Sequence, residues 1–212
     1  NWKKWIGKLT PKVNKYWHML VLFYQDKHLE ALSKIKEQLP IFDKEEDTPY
    51  KIILTRILAR LLRHNSSRLE ASYKYEDLVK LWRSPYITPG NMGLRQGLFL
   101  YDRINDFNWA ARVSALTKNY EFAEKILNDN IKFISKYENK IRKSRLLRKK
   151  IASLQAEIYF IKSTKLNLRR KRYSEAIEDL KYSLSLSQVS KSWKRHLQWS
   201  LGLSYYLDKQ YK

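Results

Sequence analysis

The sequence predicts an all-α protein built from antiparallel helix hairpins, and three observations lead to that fold class. Apolar residues recur at spacings of three and four along most of the 212 residues, which is the period of an amphipathic helix. No segment shows the strict alternation of apolar and polar residues that marks a half-buried strand. Glycine and proline number only five each, so breaks between helices are few. Connections are therefore short, and neighbouring helices are expected to run antiparallel.

Four helices are predicted in the first eighty or so residues. The first two carry apolar stripes at helical spacing, Val13-Trp17-Leu20-Tyr24 and Leu29-Leu32-Ile35-Leu39. Thr48 is a suitable N-cap for a third helix, because Pro49 then takes the first helical position. That helix carries Ile57 and Leu61 one turn apart on its apolar face. A shorter fourth helix follows over about residues 70–82.

One clear loop, residues 84–93, interrupts the helical pattern. Two of the five prolines and two of the five glycines lie within it. We interpret residues 1–212 as a single helical-repeat region, an excerpt of a longer chain, with this loop as its candidate joint. Beyond the loop the apolar pattern predicts six helices, at about residues 94–104, 108–117, 120–137, 141–162, 174–187 and 191–207.

Two short motifs recur in the second half of the chain. Tyr-x-x-Ala-x-x-x-Leu occurs as Tyr120, Ala123, Leu127 and again as Tyr173, Ala176, Leu180. A small residue followed three positions later by tyrosine occurs as Ala156 with Tyr159 and as Gly202 with Tyr205, and Ala111 is a further small residue upstream. Small residues allow two helices to cross closely, and an aromatic residue beside a turn packs back on its hairpin.

These motifs resemble the tetratricopeptide-like superfamily of helical repeats over roughly residues 107–212, particularly the divergent repeats of large bacterial proteins. The resemblance implies hairpins stacked as an α-α superhelix, a short solenoid whose concave side binds a partner. It also implies a close helix crossing at Gly202. Ala111 and Ala156 are 45 residues apart, and Ala156 and Gly202 are 46 apart, against about 34 in a regular repeat. A HEAT-like or other α-α superhelix is therefore an alternative, and residues 1–100 show no clear repeat.

The chain is strongly basic, with 43 lysines and arginines against 21 acids and a formal net charge of +22. Such a charge favours anionic partners. Seven cations and no acid lie within eleven residues, at Lys140, Arg142, Lys143, Arg145, Arg148, Lys149 and Lys150. A second group lies in a predicted elongated turn, at Lys165, Arg169, Arg170, Lys171 and Arg172. Both groups are candidate sites for an anion or a nucleic acid, and a merely solvated helix face is the alternative.

The sequence contains no recognisable catalytic constellation. There is no cysteine, and none of the four histidines has a second ligand three or four residues away that would complete a metal site. No phosphate-binding glycine loop or nucleophile elbow occurs. We therefore expect no enzyme activity, no metal and no cofactor. Most of the many aromatic residues are expected to pack in the core, with Trp17, Tyr159 and Tyr205 on buried stripes.

Two functions are compatible with these features. The first is a non-catalytic scaffold or adaptor that binds another protein, preferably an acidic segment, through a basic helical-repeat groove. The alternative is binding of single-stranded or structured RNA. The sequence has no run of about 18 apolar residues, so no membrane span is predicted, and we expect a cytoplasmic protein. The oligomeric state is not indicated.

Overall fold

A computed structural model describes residues 11–65, 67–186 and 191–210. Over these residues the regular structure consists of ten α-helices, two short 3₁₀ turns and one π-helix, and no residue lies in a strand. The prediction of an all-α protein is therefore confirmed. Most helix contacts are made between neighbours in the chain.

The chain divides into two compact units, residues 1–95 and residues 96–212. The boundary lies two residues beyond the predicted loop 84–93, which contains no regular structure. Near the end of this loop Gly93 adopts a φ of 59°, a left-handed conformation that glycine takes without steric cost.

The described part of unit 1 contains four α-helices, α1 Pro11–Tyr24, α2 His28–Gln38, α3 Thr48–His64 and α4 Arg68–Trp82. Short 3₁₀ turns at Leu39–Ile41 and Glu45–Asp47 connect α2 to α3. Helix α3 is central, because it packs against α1, α2 and α4. Its buried apolar side chains extend over most of its length: Ile52, Leu54, Ile57, Leu58, Ala59, Leu61 and Leu62.

The face of α1 that the apolar pattern predicted is not the face that packs. Trp17 is 45% exposed and Tyr24 is 78% exposed, so the prediction that Trp17 lies in the core is wrong. Leu29, at the start of α2, is also exposed. Of the predicted stripe only Leu20 is buried, and the other buried side chains of α1 are Tyr16, Met19 and Leu22. A helix turns by about 100° per residue, so in so apolar a segment a shift of one position selects a different face.

Among its described residues unit 2 has six α-helices, α5 Gln96–Leu116, α6 Tyr120–Lys136, α7 Glu138–Arg142, α8 Arg145–Ile161, α9 Tyr173–Ser185 and α10 Lys191–Gln210. Helices α5 and α6 pack as one hairpin, and α8 and α9 pack as a second. Helix α8 also contacts both helices of the first hairpin, and α10 contacts α9. Unit 2 is thus built by adding one helix hairpin to the previous one.

Helix α5 is continuous where the sequence predicted a break near residue 106. Asp106 and Asn108 interrupt the apolar pattern there, yet both side chains are buried. The Asn108 amide donates to the backbone carbonyl of Leu154 at 3.0 Å. Asn130 on α6 donates to the carbonyl of Ile104 at 3.0 Å and to the side-chain oxygen of Asn108 at 3.0 Å. Asn108, which suggested a turn, therefore binds two neighbouring helices.

The segment predicted as an elongated turn, residues 162–172, is helical over more than half its length. A π-helix, Lys162–Asn167, continues α8 directly. Its buried residues are Ser163, Leu166 and Asn167, and the Ser163 hydroxyl donates to the carbonyl of Ala176 at 3.0 Å. Hydrogen bonds in a π-helix join residues five apart, so α-helical periodicity could not predict this segment or its buried face.

The small and apolar residues of the two sequence motifs mostly lie at helix contacts. Six of them are fully buried: Ala111, Ala123, Leu127, Ala156, Ala176 and Leu180. The tyrosines Tyr120, Tyr159 and Tyr173 are half-buried. Ala156 belongs to a buried cluster with Leu180 and Leu197, so it joins α8 to α9 and α10. Its carbonyl accepts a hydrogen bond from the Ser183 hydroxyl at 3.0 Å, which a close approach of α9 allows.

Gly202 is the exception, because it does not lie at a helix crossing within the described chain. A Cβ atom built on Gly202 would meet no atom within 4 Å apart from its own helix backbone and chain neighbours. Tyr205 is 40% exposed, so the expectation that it lies on a buried stripe is also wrong. Within this motif Leu201 packs against the cluster of Ala156, Leu180 and Leu197, whereas Gly202 faces open space.

This exposure leads to a first prediction. We expect Gly202→Ala to stabilise the protein by about 0.5–1 kcal/mol, because alanine restricts the unfolded chain and favours the helix. The matched control is Gly93→Ala, which forces a side chain into a left-handed conformation and should destabilise by about 1 kcal/mol. Urea unfolding followed by circular dichroism measures both changes. A destabilised Gly202→Ala variant would show that this face is covered in solution.

Candidate functional site

A groove in unit 2 combines an apolar surface with cationic and aromatic side chains. It has a volume of about 470 Å³ and lies between α6, α7, α8, α9 and the residue after α9, within the usual range for ligand pockets. Its apolar lining consists of Ile131, Ile134, Ile141, Ile151, Ala152 and Leu186. Its polar and aromatic lining consists of Ser135, Glu138, Arg142, Arg148, Gln155, Tyr159 and Tyr182.

Arg142 at the end of α7 and Arg148 near the start of α8 form the basic side of this groove. The Ser144 hydroxyl accepts a hydrogen bond from the Leu147 amide at 3.3 Å and caps the helix. The sequence predicted one helix over 141–162, and this cap instead separates α7 from α8. The first turn of α8 carries no acid, although a helix N-terminus favours negative charge. An acidic group bound here would be attracted by both the helix end and the cations.

Two tyrosines form an aromatic side of the groove. The ring centroids of Tyr159 and Tyr182 are 4.4 Å apart, and the Gln155 amide donates to the Tyr182 hydroxyl at 3.4 Å. Burial, and to a lesser degree Tyr182 and Asp179, raise the pKa of Tyr159. Its hydroxyl therefore stays protonated at neutral pH and can donate a hydrogen bond. Sequence analysis missed Tyr182, because it belongs to neither repeated motif.

The first basic cluster is only partly neutralised inside the protein. Arg142 forms an ion pair with Glu138 at 2.6 Å. Lys140 lies 5.5 Å from the ring centre of Tyr137, and Lys150 lies 5.7 Å from that of Tyr101. The other four cations have no acidic partner within the described ranges: Lys143, Arg145, Arg148 and Lys149. Of these, Arg148 lines the groove.

The second basic cluster contributes one ion pair between separate segments of unit 2. Arg170 forms an ion pair with Glu124 on α6 at 2.6 Å, and its guanidinium lies 5.5 Å from the ring centre of Tyr120. Arg172 lies 3.6 Å from Glu175. Lys171 also makes a contact of its own. No member of this cluster lines the groove, so the structure brings only the first cluster to it.

Unit 1 contains a larger groove, of about 690 Å³, that sequence analysis did not predict. Its charged lining is mainly paired internally. Lys36 binds Glu70 at 2.6 Å, and Asp77 lies between Lys74 at 2.9 Å and Lys80 at 3.7 Å. This groove also lacks the arginines and tyrosines that line the unit 2 groove. No motif in the first hundred residues pointed to this groove, and we find no sequence signal that could have.

The described residues contain no group of three or more histidines, aspartates and glutamates that could hold a metal ion. Within the same residues, no helix has the length and apolar character needed to cross a bilayer.

Together, fold and site define an all-α protein of packed helix hairpins with a basic, apolar-lined groove in its second unit. Comparison with family models, curated proteins and solved structures finds no match to the chain.

Proposed function

We propose that this protein is a non-catalytic scaffold that binds an acidic, partly apolar segment of another protein in the unit 2 groove. One observation carries the proposal. Arg148 lines an apolar groove and has no acidic partner in the described chain. Three further unneutralised cations lie near it, in the same part of α8 and in the turn before it: Lys143, Arg145 and Lys149. Apolar lining supplies binding energy through burial, and the cations select the charge of the partner.

The shape of the groove favours an amphipathic segment over a small molecule. Its apolar lining comes from three successive helices, α6 to α8, and from Leu186 just after α9, and isoleucines dominate it. A helix that presents apolar residues at spacings of three and four could bury them there. Carboxylates at its edge would reach the guanidinium of Arg148, which binds carboxylates in a bidentate geometry. We propose that unit 2 belongs to a tetratricopeptide-like superhelix, and the hairpin packing and buried alanines support this proposal.

The binding experiment uses a panel of 15-residue amphipathic peptides, acidic and neutral, with fluorescence anisotropy as the readout. We expect acidic members to bind the wild-type chain, and Arg148→Glu to weaken that binding at least about tenfold through charge repulsion. Lys125→Glu is the matched control, because Lys125 is exposed on α6 and outside the groove. Equal affinities for both variants, or equal binding of neutral peptides, would contradict the proposal.

A second variant tests the groove without changing its charge. Ala152 lines the groove and is half-buried, so Ala152→Trp should fill it and abolish peptide binding. Circular dichroism establishes that the variant retains its helices. Undiminished binding to a folded Ala152→Trp protein would place the peptide elsewhere.

RNA binding is a second candidate, favoured by the unneutralised cations of the α7–α8 turn. Filter binding of single-stranded RNA at about 50 and 200 mM salt separates the two functions, because phosphate contacts give a steep salt dependence. Tight RNA binding that Ala152→Trp leaves intact would favour RNA as the partner.

A further inference from the structure

The groove of unit 1, with a volume of about 690 Å³, is lined by residues of α2, α3 and α4 and of the 3₁₀ turn after α2. Both α2 and α4 pack against α3. Helix α3 contributes four lining residues at spacings of three and four, which place them on one face of the helix: Thr48, Lys51, Thr55 and Leu58. Two hydroxyls, a cation and an apolar side chain therefore share the face of α3 that lines the groove.

Lys51 is an unneutralised cation in this groove. It is half-buried, and no acidic side chain among the described residues forms an ion pair with it. The lining contains four lysines but only two acids. One of these acids, Asp77, is shared by Lys74 at 2.9 Å and Lys80 at 3.7 Å, so it balances only one of them. The excess of positive charge favours an anionic ligand.

The deepest part of the lining is formed by two buried residues of α3. Thr55 is 2% exposed and Leu58 is 1% exposed, and both border the groove. Leu39, Pro40 and Leu81 add apolar surface around them. An alkyl chain bound on this surface would gain affinity with every methylene group that it buries. The Thr55 hydroxyl lies one helical turn from Lys51 and can donate a hydrogen bond to an anion held by that lysine.

An ion pair at the rim of the groove limits the width of a ligand. The ammonium of Lys36 on α2 lies 2.6 Å from the carboxylate of Glu70 on α4. Both side chains are about half exposed, and the pair joins the two helices that flank α3. A helical peptide with its side chains is about 10–12 Å wide, so it would have to break this pair to enter. A single alkyl chain is much narrower and can lie beside the pair.

We propose that the unit 1 groove binds a free fatty acid, with its carboxylate at Lys51 and its alkyl chain on the apolar floor. One unpaired lysine matches the single negative charge of a carboxylate, and the volume of the groove is within the range of small-molecule sites. The groove shares no residue with the unit 2 groove. The proposal is therefore independent of the scaffold function.

The test is calorimetric titration of the full chain with sodium decanoate, at concentrations below those at which it forms micelles. We expect decanoate to bind about tenfold more tightly than octanoate, because two more methylene groups are buried. Decyltrimethylammonium has a chain of the same length with a cationic head, and it should bind at least about tenfold more weakly than decanoate. Equal affinities for the two decyl compounds would overturn the proposal.

Three variants assign the binding to this groove. Lys51→Met should weaken decanoate binding at least about tenfold. Its matched control is Lys27→Met, which removes an exposed lysine of unit 1 outside the groove and should leave the affinity unchanged. Arg148→Glu, in the unit 2 groove, should also bind decanoate as the wild type does. Equal losses in the two lysine variants would show attraction by general charge alone, and a loss confined to Arg148→Glu would place decanoate in the unit 2 groove. Either result would overturn the proposal.

Discussion

Replacing Glu157 with alanine is expected to destabilise unit 2 by about 3 kcal/mol, because it leaves the guanidinium of Arg112 without its counter-charge. Glu157 and Arg112 are mostly buried, with 14% and 24% of their side chains exposed. The same carboxylate accepts a hydrogen bond from fully buried Asn108. Removing one member of a buried pair costs far more than removing an exposed pair, since the remaining charge cannot be hydrated.

Hydrogen exchange measured by mass spectrometry checks this prediction and shows whether the loss of stability is confined to unit 2. The most protected amides of α5 and α8 should exchange roughly 100-fold faster in Glu157→Ala, while amides of unit 1 serve as an internal reference. The matched control is Glu138→Ala, which breaks the exposed Glu138–Arg142 pair of similar length and should cost less than about 1 kcal/mol. If the two variants were equally destabilised, the Arg112–Glu157 pair would not be buried in solution.

Replacing Lys162 with methionine is expected to cost about 3 kcal/mol at neutral pH, because Asp179 is then a buried carboxylate without a cation. Burial already raises the pKa of Asp179, although Lys162 and the Asn167 amide act in the opposite direction. The Lys162→Met variant loses the largest of these opposing effects. Its aspartate pKa should therefore rise further above the ordinary value.

The pH dependence identifies the cause of this loss. A raised pKa means that the folded state binds the proton more tightly than the unfolded state does. The cost of the ionised carboxylate is therefore fully present above the raised pKa and decreases as the pH falls through it towards the ordinary value for aspartate. Urea unfolding of Lys162→Met should show a smaller loss of stability at about pH 5 than at pH 7.

Two controls accompany the Lys162 experiment. The double variant Lys162→Met with Asp179→Asn removes the buried charge and should recover most of the stability lost at neutral pH. Arg172→Met breaks the more exposed pair with Glu175 near the start of α9 and should cost less than about 1 kcal/mol. A loss in Lys162→Met that did not change with pH would assign the effect to packing alone.

Local signals predicted the helices that are bounded by caps and turns. Helix α6 was predicted over 120–137 and is observed over Tyr120–Lys136, because the Asn119 side chain accepts a hydrogen bond from the Phe122 amide and starts the helix. Helix α4 was likewise predicted within two residues. These boundaries depend on interactions between residues a few positions apart, and a local sequence pattern can therefore predict them.

The sequence-based predictions were wrong where contacts between residues far apart in the chain determine the structure. Asn108 is buried within the continuous helix α5 and donates a hydrogen bond to the carbonyl of Leu154, 46 positions away. On α1 several apolar faces were available, and contact with α2 and α3 selected the face that contains Met19 and not the one that contains Trp17. The spacing of apolar residues indicates that a helix is amphipathic, but it does not indicate which of two apolar faces packs against another helix.

The same distinction holds for the candidate sites, because the sequence alone identified some of their residues and only the folded structure identified the others. The sequence identified both basic clusters, because the lysines and arginines of each cluster lie close together in the chain. It could not show that Glu124 neutralises Arg170 from 46 positions away. Nor could it show that Arg148 lies in one groove with isoleucines of α6 and α7. Tyr182 belongs to no motif, so only spatial proximity identifies it as part of the groove.

The amino-acid sequence by itself determined the all-α class and most helix ends, as well as the excess of positive charge. Each of these follows from composition, from periodicity or from contacts between residues a few positions apart. Only the tertiary structure decided which polar residues are buried in pairs and which cations stay unneutralised. Burial and electrostatic pairing depend on distances between side chains of different helices, and those distances are set only when the helices pack together.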